Sequence, residues 1–394
     1  QANESRKSMI VVGMMSGTSA DGVDAAVVDI RGTGHRLKSV LLKHVGRPYA
    51  PRLRQRILQV CEQGTVEQIC HLNVVLGEVF AKTALLAIKH SGISPQRVAL
   101  IGSHGQTIHH RPAAIYEPGI GQIRSTLQIG DPHVIAERTG ITTVSDFRAR
   151  DLAVGGEGAP LTPYVHALLF AQKHLTRMVV NLGGIANVTL LPRGGNLAAV
   201  RAFDTGPCNM LLDGLVAMET KGMAGFDRGG RLAMKGQVDK GLLRWLLAHP
   251  YVSRRPPKST GREMFGEEYI QRVWAQAKRR HLAISDLLAT SCRFIAQVIH
   301  QAQKWTREVP DELVFGGGGV RNARLWSELS SVFDPFPVMR MDECGASSQA
   351  FEAQAFAVLA YQTLKGVCAN LPKVTGARHS VILGTVTPGI HGLP

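Results

Sequence analysis

The residues with most chemical potential in this chain sit in glycine-containing turns. The run from Gly13 to Asp24 holds Gly17 and Gly22, the hydroxyls of Ser16, Thr18 and Ser19, and the carboxylates of Asp21 and Asp24. Glycine lets backbone amides approach an anion closely, hydroxyls add donors, and carboxylate oxygens suit Mg²⁺ directly or through water. Taken alone, the run also reads as a plain hairpin turn. No G-x-x-x-x-G-K-[ST] element occurs, which excludes a Walker-type phosphate loop.

Several further segments share this character. Asn181, Gly183, Gly184 and Asn187 outline a second candidate phosphate turn, or simply a tight turn. Asp204 stands at the end of an apolar stretch and just before a helix signal, where ligands collect in open α/β sheets. Helix capping is its plainer role. Gly316–Gly319 permits near contact between backbone and a flat ligand such as adenosine, or serves as a connector. Arg148 and Arg150 alternate with Asp146 and Asp151 before a Gly155–Gly158 run; guanidinium groups there suit a carboxylate or phosphate, or pair internally. His104 and Gln106 could bind sugar hydroxyls or satisfy backbone groups. The loop Lys258–Glu263 borders a site or lies in solvent.

The elements that must position these groups alternate strand and helix, which argues for α/β layers. Strands are expected at Met9–Gly13, Val23–Ile30, Leu37–His44 and Val98–Ser103, the last running into a polar loop over 103–107. Further strands are expected at Ser125–Ile129, Thr142–Ser145, Met178–Leu182, Val188–Leu191, Val200–Phe203 and Leu313–Phe315. Helical periodicity covers Pro51–His90 with a break near Gly64. A helix is expected from about Pro132 and another from Asn209, and most of 238–306 is helical. Asn322 is placed to cap one helix, and Gly366 to stop another over Ser348–Lys365. Residues 9–30 and 178–191 both read strand, polar glycine turn, strand, which suggests a duplicated core and a cleft between two lobes.

At 394 residues the chain is long enough for two lobes. Apolar residues form 44% and charged residues 19%, as in ordinary folded proteins. No uninterrupted apolar run reaches the roughly 18–20 residues that span a bilayer. The polar start lacks a signal-peptide core, so residues 1–8 are read as an extension before Met9 and the expected location is cytoplasmic. Six scattered cysteines without a C-x-x-C pair suit reduced thiols rather than disulfides or zinc. The net charge of +15 is spread over short clusters, Arg52–Arg56, Arg254–Lys258 and Lys278–Arg280, with no interleaved aromatics. That favours solvated faces around an anionic ligand over nucleic acid.

Read in order, the stretches GMMSGTSADGVD, IGSHGQTIHHRP, LQIGDP, TGITTVSDFRARDLAVGGEGAPL, VVNLGGIANVTLL, FDTGPCNMLLD, PKSTGRE, GGGGVRNARL, FEAQAFAVLA and LPKVTGA resemble the anhydro-N-acetylmuramic acid kinase family, from about residue 12 to 377. The resemblance implies an α/β, two-lobed actin-like ATPase fold of the hexokinase/Hsp70 type, with a duplicated core and ATP and Mg²⁺ in an interlobe cleft. Lobe I is expected over 9–145, completed by 376–394, and lobe II over 146–375. The resemblance further implies hydrolysis of the 1,6-anhydro bond with phosphorylation of O6, giving N-acetylmuramic acid 6-phosphate for peptidoglycan recycling, and a homodimer.

On that resemblance Asp204 is the catalytic base. The nucleotide is held by Gly17, Thr18, Ser19, Ala20, Asp21, Gly22, Val23 and Asp24, with Gly183, Gly184, Asn187, Gly317 and Gly318. Asp21 takes the metal, directly or through water. His104, Gln106, Arg150 and Asn209 contact the sugar, Arg150 by holding its lactyl carboxylate. The chain departs from the family pattern at Cys208, where glycine is usual, at Ala20, usually leucine, and at Ala149, where arginine is common.

Overall fold

In the computed structural model, residues 8–17, 19–306 and 308–394 are described. Thr18, and the proposed extension apart from Ser8, fall outside them. The chain forms two compact units, one of residues 1–169 with 350–394 and the other of residues 170–349.

The strands of the first unit are β1 (Met9–Ser16), β2 (Gly22–Arg31), β3 (Lys38–Pro48), β4 (Val98–Glu117), β5 (Gly121–Ile129), β6 (Thr143–Ser145) and β12 (Thr385–Thr387). Those of the second are β7 (Arg177–Leu182), β8 (Ile185–Leu191), β9 (Arg201–Pro207), β10 (Glu312–Gly316) and β11 (Val338–Arg340). In chain order the helices are α1 (Pro51–Gln63), α2 (Val66–Ser91), α3 (Pro132–Thr139), α4 (Ala149–Ala153), α5 (Thr162–Phe170), α6 (Asn209–Glu219), α7 (Lys240–Leu247), α8 (Pro250–Ser253), α9 (Arg262–Phe265), α10 (Glu267–Arg279), α11 (Ile284–Gln301), α12 (Ala323–Phe333), α13 (Phe351–Leu364) and α14 (Pro372–Thr375).

The duplication expected from the two hairpins is written in the sheets. The first sheet runs β12-β6-β4-β1-β2-β3, with β5 paired to β4; the second runs β11-β10-β7-β8-β9. In each, three strands form an antiparallel meander: β1-β2-β3, and β7-β8-β9. A fourth strand then joins the first of the three in parallel, and a fifth joins the fourth in parallel. The same five-strand core occurs twice, so the fold is α/β with a repeated topology.

Local signals explain many element ends. Thr65 and Gln68 form a reciprocal capping box at the start of α2, and Gly92 closes that helix in the left-handed region. Asp131 accepts from the amides of His133 and Val134 at the start of α3. Asn322 caps α12 through the amide of Leu325, as expected. By length and composition α2 could cross a membrane. It instead lays Leu72, Leu76, Phe80, Ala84 and Ile88 into the core shared with β1 and β2.

Two expectations are corrected. The polar stretch 103–107 is not a loop: β4 continues through it to Glu117, because β1 and β5 supply partners on both sides. The units also divide at 169/170 and 349/350 rather than at 145/146 and 375/376. The cause is α13, which packs on the first sheet. A Cβ on Gly13 would lie 1.9 Å from Ala353 O, and one on Gly102 2.3 Å from Phe356 O. Tyr164 of α5 accepts from the side chain of Gln362 at 3.0 Å, which keeps α5 with α13.

His166 is 1% exposed and stacks on Phe351 with ring centroids 4.8 Å apart. Burial pushes its pKa down to about 3. The unfolded ring titrates near 6.5, so below that pH the unfolded chain binds the extra proton. The stabilisation from the neutral buried ring is therefore complete above pH 6.5 and lost as the pH falls toward 3. By pH 5 the loss is about 2 kcal/mol. Thermal melts of wild type and His166→Phe should show the wild type falling more steeply between pH 7 and 5; parallel profiles would refute this.

Candidate functional site

In the first unit the turn between β1 and β2 is fixed from within. Ser16 is buried and donates to Gly22 O at 2.7 Å or to Gln106 Oε1 at 2.7 Å. The Tyr49 hydroxyl donates to Ser16 Oγ at 3.0 Å. Gln106, fully buried, donates through Nε2 to Gly17 O at 3.1 Å. The carbonyl of Gly17 also closes the turn through the amide of Ala20. Burying three polar side chains without partners would cost about 1–3 kcal/mol for each group. They partner one another instead and hold the Gly17–Gly22 backbone in one shape.

Gln106 commits its amide to Gly17 and Thr107 and so shapes the turn. Val23 and Ala20 are 1% exposed, with their side chains in the apolar core. Asp24 lies on β2 with Oδ1 2.8 Å from His44 Nε2. Asp21 stays exposed, and Ser19 is half-buried.

His104 is also turned inward. Its Nδ1 lies 2.9 Å from Gly105 O, and its Nε2 lies 3.0 Å from Arg148 Nε. Nδ1 therefore carries the proton and Nε2 accepts from the guanidinium. Burial pushes the imidazole well below its ordinary range, which keeps it neutral beside Arg148. With both ring nitrogens occupied, His104 orients Arg148. Arg148 also donates to Gly158 O at 2.7 Å. Asp151 accepts from Asn370, Thr375 and the amide of Gly158 and so braces the glycine run. Arg150 stands exposed on α4.

In the second unit the register lines up a polar row. Gly316 of β10 pairs with Asn181 of β7, Asn181 with Asn187 of β8, and Asn187 with Asp204 of β9. Residues directly opposite across strands present side chains to the same face. Asp204 is the carboxylate of this row, half-buried and held at three points. Its amide donates to Lys258 O at 3.1 Å, its carbonyl accepts from Tyr251 Oη at 3.1 Å, and its Oδ2 accepts from the amide of Thr260 at 2.9 Å. The loop 258–263, whose setting the sequence leaves open, is thus part of the Asp204 environment. Tyr251 escapes sequence reasoning because only the fold brings it to β9.

The two glycine turns of this unit differ in kind. The carbonyls of Gly183 and Gly184 accept from the amides of Cys208, Asn209 and Met210 and so cap α6. Asn209 donates its side-chain amide to Leu182 O at 2.8 Å and so braces the start of α6 against β7. Gly317 has φ +84, and a Cβ there would lie 2.4 Å from Asn181 Oδ1. Gly318 is exposed, and the nearest atom a Cβ there would meet is Asn209 Nδ2 at 3.7 Å, an ordinary contact. Among the described residues no group of three His, Cys, Asp or Glu side chains is placed to hold a metal. Isolated carboxylates such as Asp21 do fit Mg²⁺ that keeps its waters and arrives on phosphates.

The model of the family described as anhydro-N-acetylmuramic acid kinase matches residues 9–389. A protein of that name from Caldanaerobacter subterraneus subsp. tengcongensis is 44% identical over 387 residues, covering 97% of this chain and 98% of the relative. One from Gloeobacter violaceus is 43% identical over 382 residues, covering 96% and 98%. Among solved structures, the activator of 2-hydroxyisocaproyl-CoA dehydratase from Clostridium difficile with bound ADPNP aligns at TM-score 0.46 and 12% identity, covering 90% of this chain and 95% of that one.

The glycine run gives a paired test. Gly317→Ala forces a side chain into a left-handed backbone and against Asn181 and Leu182, and should cost more than about 2 kcal/mol. Gly318→Ala should stay within about 0.5 kcal/mol of wild type. Urea unfolding of both variants checks this; equal effects would contradict the assigned close approach.

Proposed function

The chain belongs to the anhydro-N-acetylmuramic acid kinase family, and on that premise we propose that it transfers the ATP γ-phosphoryl group to O6 of 1,6-anhydro-N-acetylmuramic acid while opening the anhydro ring. The match over residues 9–389 is the observation that carries this reading. Water adds to C1, the C1–O6 bond breaks, and O6 attacks the γ-phosphorus. The products are N-acetylmuramic acid 6-phosphate and ADP, with one proton released. This chemistry belongs to peptidoglycan recycling in the cytoplasm, carried out by a homodimer.

Asp204 is the general base that takes the water proton. Its support is the constrained carboxylate at the end of the polar row. The phosphates are bound by backbone amides and hydroxyls of the Gly17–Gly22 turn, including Ser19, and by the Gly183–Gly184 segment beside Asn187. Gly317 and Gly318 approach the nucleoside. When bound, Mg²⁺ neutralises charge on the β- and γ-phosphates; Asp21 would meet it through water, since Asp24 is engaged with His44. Arg150, exposed on α4, pairs with the lactyl carboxylate, and the remaining charge on the face is solvated.

In H₂¹⁸O with Mg-ATP and anhydro sugar, label should enter at C1 and not the phosphate. Phosphorylation only of an ordinary hexose, without label, would point to a kinase that opens no ring. Asp204→Asn should lower kcat by about 10²–10⁴-fold while ATP affinity changes little; near-normal turnover would remove the base assignment. Arg150→Ala should raise KM for the sugar about tenfold without moving KM for ATP. An unchanged sugar KM would reassign the carboxylate contact.

A further inference from the structure

Lys258 carries an ammonium group into an apolar place. The residue is 7% exposed, although it sits in the basic cluster Arg254–Lys258 that the sequence assigns to a solvated face. Its Nζ donates to the carbonyl oxygens of Tyr251 at 3.2 Å and Val252 at 3.5 Å. It also lies 4.7 Å from the centroid of the Tyr251 ring, a cation–π distance. Burial pushes the ammonium down to about 8, Arg254 adds repulsion, and Asp204 opposes both. A lysine is costly to bury, and a surface alternative lay within reach of its flexible stem. Such a placement calls for a reason.

The reason lies in what the two ends of this residue touch. Its backbone carbonyl accepts from the amide of Asp204, and two residues on the amide of Thr260 binds Asp204 Oδ2. Its side chain grips α8, where Tyr251 supplies both a carbonyl to Lys258 and a hydroxyl to Asp204 O. The loop and α8 therefore hold Asp204 from separate directions, and Lys258 is the tie that fastens one to the other.

We propose that Lys258 is a positioning residue for Asp204: its ammonium locks the 258–260 segment to α8 and so fixes the Thr260 amide on Oδ2 and the direction of the carboxylate. Lys258 touches no reacting atom. This inference rests on Asp204 being the general base, and misaiming a base by about 1 Å costs up to 10²-fold in rate.

The test is a double-mutant cycle in the full-length enzyme. Lys258→Met should lower kcat about 30-fold, with KM for ATP and ATP affinity by calorimetry within about twofold of wild type. In an Asp204→Asn background the same change should cost less than about twofold, because there is no longer a base to aim. An undiminished loss in that background, or full activity of Lys258→Met, overturns the proposal. Full activity of Asp204→Asn would instead sink the base assignment itself. Tyr251→Phe keeps the ring and the carbonyl but removes the hydroxyl on Asp204 O. It provides a milder variant should the first not fold, and should lower kcat about three- to tenfold with KM for ATP unchanged. Unchanged kcat in Tyr251→Phe would also count against the proposal.

Discussion

The first unit depends on how closely α13 lies against the sheet. The helix backbone runs so near β1 and β4 that only hydrogen fits at Gly13 and Gly102. Contacts of 1.9 and 2.3 Å from an added Cβ are to backbone atoms, which cannot swing aside. The two central strands are thereby held level under one helix. Ser16 of β1 consequently meets Gln106 of β4, and that bond, with Tyr49, shapes the Gly17–Gly22 turn. The same helix presents Phe356 to His104 at 4.6 Å, and His104 in turn orients Arg148.

The second unit solves a related problem differently. The first amides of α6 could have formed an anion site, since helix starts favour negative charge by about 0.3–1 kcal/mol. Leaving each of these buried donors without a partner would cost about 1–3 kcal/mol. Satisfying the amides outweighs keeping them open for an anion: the carbonyls of Gly183 and Gly184 close onto Cys208, Asn209 and Met210. The glycine turn after β7 is therefore first a cap for α6. Asp204, on the strand that leads into that helix, inherits a fixed position from it.

Much of this plan was legible in the residues. Paired strand–turn–strand patterns announced the repeated core, and Asn322 and Gly366 marked helix boundaries by local chemistry that tertiary packing does not alter. Side-chain direction was less readable. In a strand covered on both faces, a polar residue gives no sign of which neighbour it serves, so the sequence does not reveal that Gln106 holds the Gly17 carbonyl or that His104 meets Arg148. Lys258 shows the same limit from the other side. A lysine among arginines reads as solvated, and only the approach of α8 to β9 creates the carbonyls that accept it. Groups defined by their own backbone conformation are visible in sequence; groups defined by a distant partner are not.

The departures from the family pattern follow the same rule. Cys208 stands where glycine is usual, just before the first residue of α6, with φ −133 and ψ −107. Its side chain enters the apolar core between α6 and α11, fully buried. Burial pushes the thiol up to about 12, so it stays protonated at neutral pH and acts as a small apolar group. Ala20 likewise sends its methyl group into the core, at φ +49. Both positions change how volume is filled behind the turns while the groups that face outward, Asp21 and Asp204, keep their backbone anchors. The third departure, Ala149, lies exposed on α4, where no core volume depends on it.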